Sequence, residues 1–254
     1  MVVVGNCLYV ESENTKLLID AGVSLKKIET GLETLNVSPS SLDGILVTHE
    51  HSDHIQSLGN LSKKFNLPVY ANSETFDAMP KQTDKISAEN INKFKVTEKF
   101  QIKDIEVNPF SIPHDAANPC GFSISNNSDK ISIATDIGHI TNDILKQLED
   151  SKFILLESNY DTEVLKCSKY PYLLKQRIAG PNGHLSNEVA SKVINYLLQG
   201  NLKTAMLGHL SKESNFPELA YQTVVDEIIR AGTDVSKLNL SVASRDKVGN
   251  LIHI

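Results

Sequence analysis

Hydrophobic positions in the first third of the chain read first as strands and then as a strand–helix–strand succession. Residues 7–11 and 16–20 are short apolar runs separated by the polar turn Ser12-Glu13-Asn14, which predicts two strands. Over 24–36 the period changes. Leu25, Ile28, Leu32 and Leu35 recur at helical spacing, with Ser24 placed to cap. Residues 44–48 form an apolar run that predicts a buried strand, and 69–71 predict another. Between them, Ile55, Leu58, Leu61 and Phe65 predict a helix over 55–66. Residues 79–92 are polar and weakly patterned and read as a surface excursion. Strand signals return at 100–102, 105–112, 121–125 and 131–135, the last two joined by the turn sequence Asn126-Asn127-Ser128-Asp129. Helical spacing marks 141–148, 187–198 and 217–231, around strands near 153–156 and 204–207. Strands alone, then strands interleaved with helices, fit sheets faced by outer helices.

Composition narrows the class. A chain of 254 residues with 40% hydrophobic content can bury one large core, so a single domain over 1–254 is expected. No run approaches the ~20 apolar residues of a membrane helix. The N-terminus lacks a basic start and a long apolar stretch, so cytoplasmic residence and no membrane partner are expected. Cys7, Cys120 and Cys167 form no CxxC pair, which excludes a cysteine-zinc site. Each reads as a small buried hydrophobe. No nucleotide-cofactor site is expected. The net charge of −6 argues against a broad nucleic-acid surface.

The densest chemistry is Thr48-His49-Glu50-His51-Ser52-Asp53-His54, which places three of eight histidines within six positions. It lies where a predicted strand ends and a helix begins, and ligands of open α/β sheets bind at such carboxyl ends. Alternation along an extended chain would let His49 and His51 reach one ion, with Asp53 and His54 pointing elsewhere. Imidazole and carboxylate together suit zinc and similar divalent ions. Further candidates follow apolar runs: Asp20 in Asp20-Ala21-Gly22, His114 in Ile112-Pro113-His114-Asp115, Asp136 after 131–135, and His209 after Ala205-Met206-Leu207-Gly208.

His49-Glu50-His51-Ser52-Asp53-His54 resembles the HxHxDH signature of the metallo-β-lactamase superfamily, and the later motifs follow that family's order across nearly the whole chain. Glu157-Ser158-Asn159-Tyr160-Asp161, the 170–178 segment, Gly183-His184-Leu185-Ser186-Asn187 and His209-Leu210-Ser211-Lys212-Glu213-Ser214-Asn215 resemble its YycJ/WalJ-like branch, related to ribonuclease Z. The resemblance implies an α/β fold, the αββα four-layer sandwich. It also implies two divalent ions, Zn2+ or Mn2+. His49, His51 and His114 would hold one ion, Asp53, His54 and His209 the other, and Asp136 would bridge. Such a pair activates a water and neutralises phosphate oxygens. The implied function is a metal-dependent phosphodiesterase, a DNA exonuclease of 5′-to-3′ polarity, with DNA favoured over RNA. The alternative is a small-molecule metallohydrolase of the same fold, acting on a lactone, thioester or cyclic phosphodiester.

Supporting roles are less determined. Ligand histidines need an acceptor on their second nitrogen, and Glu157, Asp20 and Asp161 are all candidates. His184 precedes a predicted helix capped by Ser186. A lone histidine on a loop usually only packs there, but the Gly-His-Leu-Ser-Asn match makes His184 a catalytic candidate, as is Asp53 for orienting the water. Lys166, Lys169, Lys175 and Arg177 form a basic stretch, from which Lys175 and Arg177 are candidates for flanking phosphates. Asn6, in Gly5-Asn6-Cys7, is a further candidate near the site. Related chains carry a loop and a strand before this segment, so either a shortened first edge strand or a truncated N-terminus is expected.

Overall fold

The computed structural model describes residues 2–3, 6–126, 129–245, 247–249 and 251–254, residues 2 and 3 by backbone alone. By internal contacts the chain forms two compact units. The first holds Met1–Ser111, Ala116–Cys120 and Ser244–His253, and the second holds Ile112–Asp115 and Gly121–Ala243 with Ile254.

The first unit is built on a six-stranded sheet in sequence order: β1 (Val2–Val3), β2 (Leu8–Glu11), β3 (Lys16–Ile19), β4 (Gly44–Leu46), β5 (Val69–Asn72) and β6 (Ile91–Phe94). β1 and β3 each pair antiparallel with β2, and β3 to β6 run parallel. Parallel neighbours need helical crossovers, and the helix Leu25–Thr34 supplies the first, with Ser24 accepting from the Lys27 N–H at its start. Ile45 and Leu46 are fully buried, as a central parallel strand requires. Each contributes about 1.5–3 kcal/mol of burial.

One expectation for this unit needs correction and another needs refining. The helix expected over 55–66 is two helices, Ser52–Ile55 and Leu58–Phe65. The break falls at Ser57, whose N–H donates to the Ala21 carbonyl and whose hydroxyl donates to the Val23 carbonyl. Tertiary hydrogen bonds there replace helical ones. The stretch 79–92 runs largely over the surface, as expected, but it is not without structure. It contains the helix Pro80–Thr83, buries Met79 and Ile86, and enters the edge strand β6. Met79 and Ile86 anchor it, while Ala88 is exposed. β7 (Phe100–Ile102) and β8 (Ile105–Ser111) form an antiparallel pair.

In the second unit β9 (Cys120–Asn126) and β10 (Asp129–Ala134) pair antiparallel, Asn126 opposite Asp129. The expected turn residues Asn127 and Ser128 lie outside the described residues. β11 (Phe153–Glu157), β12 (Thr204–Gly208) and β13 (Asn239–Val242) follow β10 in parallel. The register sets Ala134 beside Leu156, and Glu157 beside Gly208, so the carboxyl ends of three strands finish abreast. The helix Asn187–Leu197 buries Ala190, Val193, Ile194 and Leu197, and Pro217–Arg230 buries Ala220, Val224 and Ile228. Helices Thr162–Cys167 and Tyr172–Ile178 and strand β13 lie where no element was expected. No helix among the described residues is long and apolar enough to cross a membrane.

Candidate metal centre

In the first unit the histidine motif follows β4, and Asp20 follows the adjacent parallel β3. Pairing of Ile19 with Leu46 brings the two strand ends together. The strand stops at Leu46, before the motif, so strand alternation is not what joins His49 and His51. Both lie in the connecting loop with ring centroids 4.6 Å apart, edge to face. His49 and His54 lie 4.2 Å apart and both are buried, while Asp53 stands 60% exposed in the first turn of the next helix.

Asp20 organises this loop. It adopts a left-handed backbone (φ 60°) and is buried. One carboxylate oxygen accepts the Thr48 N–H at 2.9 Å. The other accepts the Thr48 hydroxyl at 2.8 Å and lies 2.7 Å from His54 Nδ1. A carboxylate only accepts, so His54 carries its proton on Nδ1. The Thr48 hydroxyl proton is committed to Asp20, and its oxygen therefore accepts from His49 Nδ1, 3.0 Å away. Nε2 is then the lone-pair nitrogen of both rings. The Asn6 amide nitrogen, an obligate donor, stands 3.0 Å from His54 Nε2 and donates to Asp53 at 3.1 Å. The Ala21 N–H holds the His54 carbonyl, and the Gly22 N–H holds the Asn6 carbonyl. A Cβ on Gly22 would lie 1.6 Å from the Asp53 carbonyl oxygen, which explains the glycine of Asp20-Ala21-Gly22.

In the second unit Asp136 and His209 extend β10 and β12, and both are left-handed (φ 58° and 56°). Glu157, the last residue of β11, is fully buried and accepts four donors. Oε2 takes the N–H groups of Ile137 and Leu185, at 2.8 and 3.1 Å. Oε1 takes Nδ1 of His184 and His209, at 2.9 and 2.7 Å. Burial opposes its ionisation, but the two histidines outweigh burial and hold the carboxyl below its usual range. Burial likewise opposes a charge on His184, yet Glu157 raises its pKa. His114 donates from Nδ1 to the Gly183 carbonyl at 3.2 Å, and its Nε2 lies 3.6 Å from Asp136. Burial lowers its pKa, favouring the neutral ring. Gly183 is required here too: a Cβ would meet the Arg177 and Ile178 carbonyls at 2.2 Å. The Asn159 amide secures His209 through its carbonyl at 2.7 Å.

The acceptor question thus has an answer. Asp20 holds His54 directly and His49 through Thr48, and Glu157 holds His184 and His209. Asp161 holds none of them, because its carboxylate caps the helix Thr162–Cys167. Thr48 was missed, although it directly precedes the motif. Cys7 and Cys120 are buried as expected, but Cys167 is exposed, since its short helix packs only through Leu165. Arg177 Nε bonds Asp115 at 2.6 Å, beside His114, and Lys175 donates to the Lys166 carbonyl. Donor atoms of Asp136, Glu157, His184 and His209 lie within 4.8 Å of one another. Glu157 is saturated by protein donors, so it positions rather than ligates. Imidazole nitrogens carrying lone pairs, beside buried carboxylates, fit divalent cations.

A profile of the β-lactamase superfamily domain matches residues 15–209. The chain belongs to the metallo-β-lactamase superfamily, and its α/β architecture with two sheets is that fold. It is 37% identical to exodeoxyribonuclease WalJ of Streptococcus pneumoniae, over 91% of this chain and 87% of the relative. Identity to exodeoxyribonuclease YycJ of Bacillus anthracis is also 37%, over 92% and 88%. Among solved structures, the metallo-β-lactamase fold protein YhfI of Bacillus subtilis superposes with a TM-score of 0.68 over 98% of each chain, at 17% identity.

Proposed function

We propose that this chain is a metal-dependent phosphodiesterase that degrades DNA from an end, in the 5′-to-3′ direction the family resemblance implies. The two units are read as one catalytic domain. His49, His51 and His114 are assigned to one ion, Asp53, His54 and His209 to the other, and Asp136 to both. The observation that carries the reading is proton placement: Asp20, Thr48 and Glu157 fix Nδ1 protons, which leaves Nε2 of His49, His54 and His209 as ligand lone pairs. The names of the two relatives support DNA as substrate.

When bound, two divalent ions, Zn2+ or Mn2+, would supply an activated water and neutralise phosphate charge. They would also offset the chain's acidity where the phosphate sits. Asp53, exposed and tied to Asn6, is assigned to orient the attacking water. His184 is assigned as general acid. With Glu157 on Nδ1 and a raised pKa, it can carry a second proton on Nε2. That proton passes to the leaving oxygen as its bond to phosphorus breaks, and solvent restores it. Lys175 and Arg177 are assigned to flanking phosphates, with Arg177 oriented by Asp115.

The test uses metal-quantified protein and its Asp53→Ala variant on end-labelled single- and double-stranded DNA and RNA. Metal-dependent shortening from one end of DNA, absent in the variant, is the expected result. Hydrolysis of a lactone or a small phosphodiester with every polymer intact would overturn the reading in favour of a small-molecule hydrolase.

A further inference from the structure

We propose that the tip of the helix Tyr172–Ile178 is a stacking contact for nucleic acid, with Tyr172 and Leu173 meeting bases and Lys169 and Lys175 meeting phosphates. The proposal rests on the DNA reading above. Tyr172 and Leu173 are 72% and 77% exposed, more than any other large hydrophobic among the described residues. Packing does not require them. The small core beneath this segment is made of Tyr160, Leu165 and Ile178, with Tyr170 and Leu174 against it. The Tyr172 hydroxyl accepts from Gln176 Nε2 at 2.9 Å, one turn on, which steadies the ring on the surface. Exposed apolar surface that packing does not explain is available to a partner.

Charge identifies the partner. Between residues 162 and 180 the chain carries Lys166, Lys169, Lys175 and Arg177 against Glu163 alone, a balance of +3 in a chain of −6. Lys166 pairs with Glu163, and Arg177 with Asp115. Lys175 Nζ donates to a backbone carbonyl, which leaves its charge uncompensated by that bond, and Lys169 is exposed. An aromatic among basic residues is the pattern of sequence-independent strand binding, where bases stack and the backbone is tracked by cations. The helix is also seated at the site. The Ile178 carbonyl accepts the His184 N–H at 2.9 Å. From Tyr172 to Ile178 the helix rises about 9 Å, or about three steps along a stacked strand. A substrate of one or two nucleotides would not reach the tip.

The experiment compares wild type, Tyr172→Ala, Leu173→Ala and Tyr172→Phe on a DNA oligonucleotide and on bis(p-nitrophenyl) phosphate. Anisotropy of the labelled oligonucleotide in EDTA adds a readout independent of turnover. Tyr172→Ala is expected to raise KM and Kd for DNA about tenfold, leaving kcat and small-diester hydrolysis unchanged, with Tyr172→Phe near wild type. Lys169→Ala is expected to shallow the salt slope of binding by about 0.7–0.9. An unchanged KM and Kd in Tyr172→Ala, with wild type active on DNA, would overturn this proposal alone. A wild-type dimer that Tyr172→Ala converts to monomer, with DNA binding intact, would overturn it in favour of self-association. A wild type that neither binds nor cleaves DNA would overturn the nuclease reading as well.

Discussion

Replacing Glu157 by glutamine keeps the shape of the side chain but turns one acceptor into a donor. Oε1 faces the Nδ1 protons of His184 and His209, and Oε2 faces the N–H groups of Ile137 and Leu185. Whichever way the new amide turns, its NH2 confronts two donors. With the oxygen toward the rings, two backbone donors are orphaned in a fully buried site. Hydrogen bonds to a charged acceptor contribute about 1.5–3 kcal/mol each, so the gross loss is about 3–6 kcal/mol. A neutral amide costs less to bury than a carboxylate, which offsets part of this and leaves a net destabilisation of about 3 kcal/mol. With the NH2 toward the rings, both histidines must move their protons to Nε2. His209 then loses the lone pair that the proposed function assigns to metal, and metal affinity is expected to fall about 10–100-fold. Urea unfolding with metal quantification by mass spectrometry reads both. The expected result for Glu157→Gln is a lower midpoint at unchanged slope, weaker metal retention, or both. Stability within about 0.5 kcal/mol of wild type, with full metal retention, would refute the reasoning.

The same carboxylate predicts a pH limb. Its folded pKa is held below the ordinary 4.5, so its stabilisation is present above that pH and is lost as pH falls through the folded value. Metal-free Glu157→Gln should therefore show a flatter acid limb than wild type in unfolding measured against pH. Gly22→Ala places a Cβ 1.6 Å from the Asp53 carbonyl, so the 49–54 loop must shift. Loss of about 1–3 kcal/mol with metal retention reduced is expected by the same unfolding and metal assays. Thiol labelling of native protein should modify Cys167 alone. Cys7, pushed up to about 12 by burial and then by Asp20, and the buried Cys120 should react only after unfolding.

Much of this molecule was legible in its sequence because the informative signals were local. Apolar runs, the Ser24 and Ser186 caps, and helical spacing at 25–35 and 187–197 each report on neighbours in the chain. The histidine cluster did the same for the metal motif. The split at Ser57 depends on the carbonyls of Ala21 and Val23, more than thirty residues away, and local periodicity cannot register it. Strand β6 was hidden because an edge strand needs few apolar residues, and Ile91–Phe94 offers only two. The choice among Asp20, Glu157 and Asp161 was undecidable for a similar reason. All three are carboxylates beside predicted elements, and only strand register sets Asp20 against Thr48 and Glu157 abreast of Gly208. Asp161 is followed by a short helix that the sequence did not announce, and its oxygen is spent there.

The central claim is that Asp20, Thr48, Glu157 and the Gly183 carbonyl fix His54, His49, His209 and His114 in the Nδ1-protonated form. Long-range proton–nitrogen NMR on metal-stripped protein with labelled histidine measures this directly. Protonated Nδ1 and unprotonated Nε2 are expected for His49, His54, His114 and His209 at neutral pH. Protons on Nε2 of His54 or His209 would contradict it.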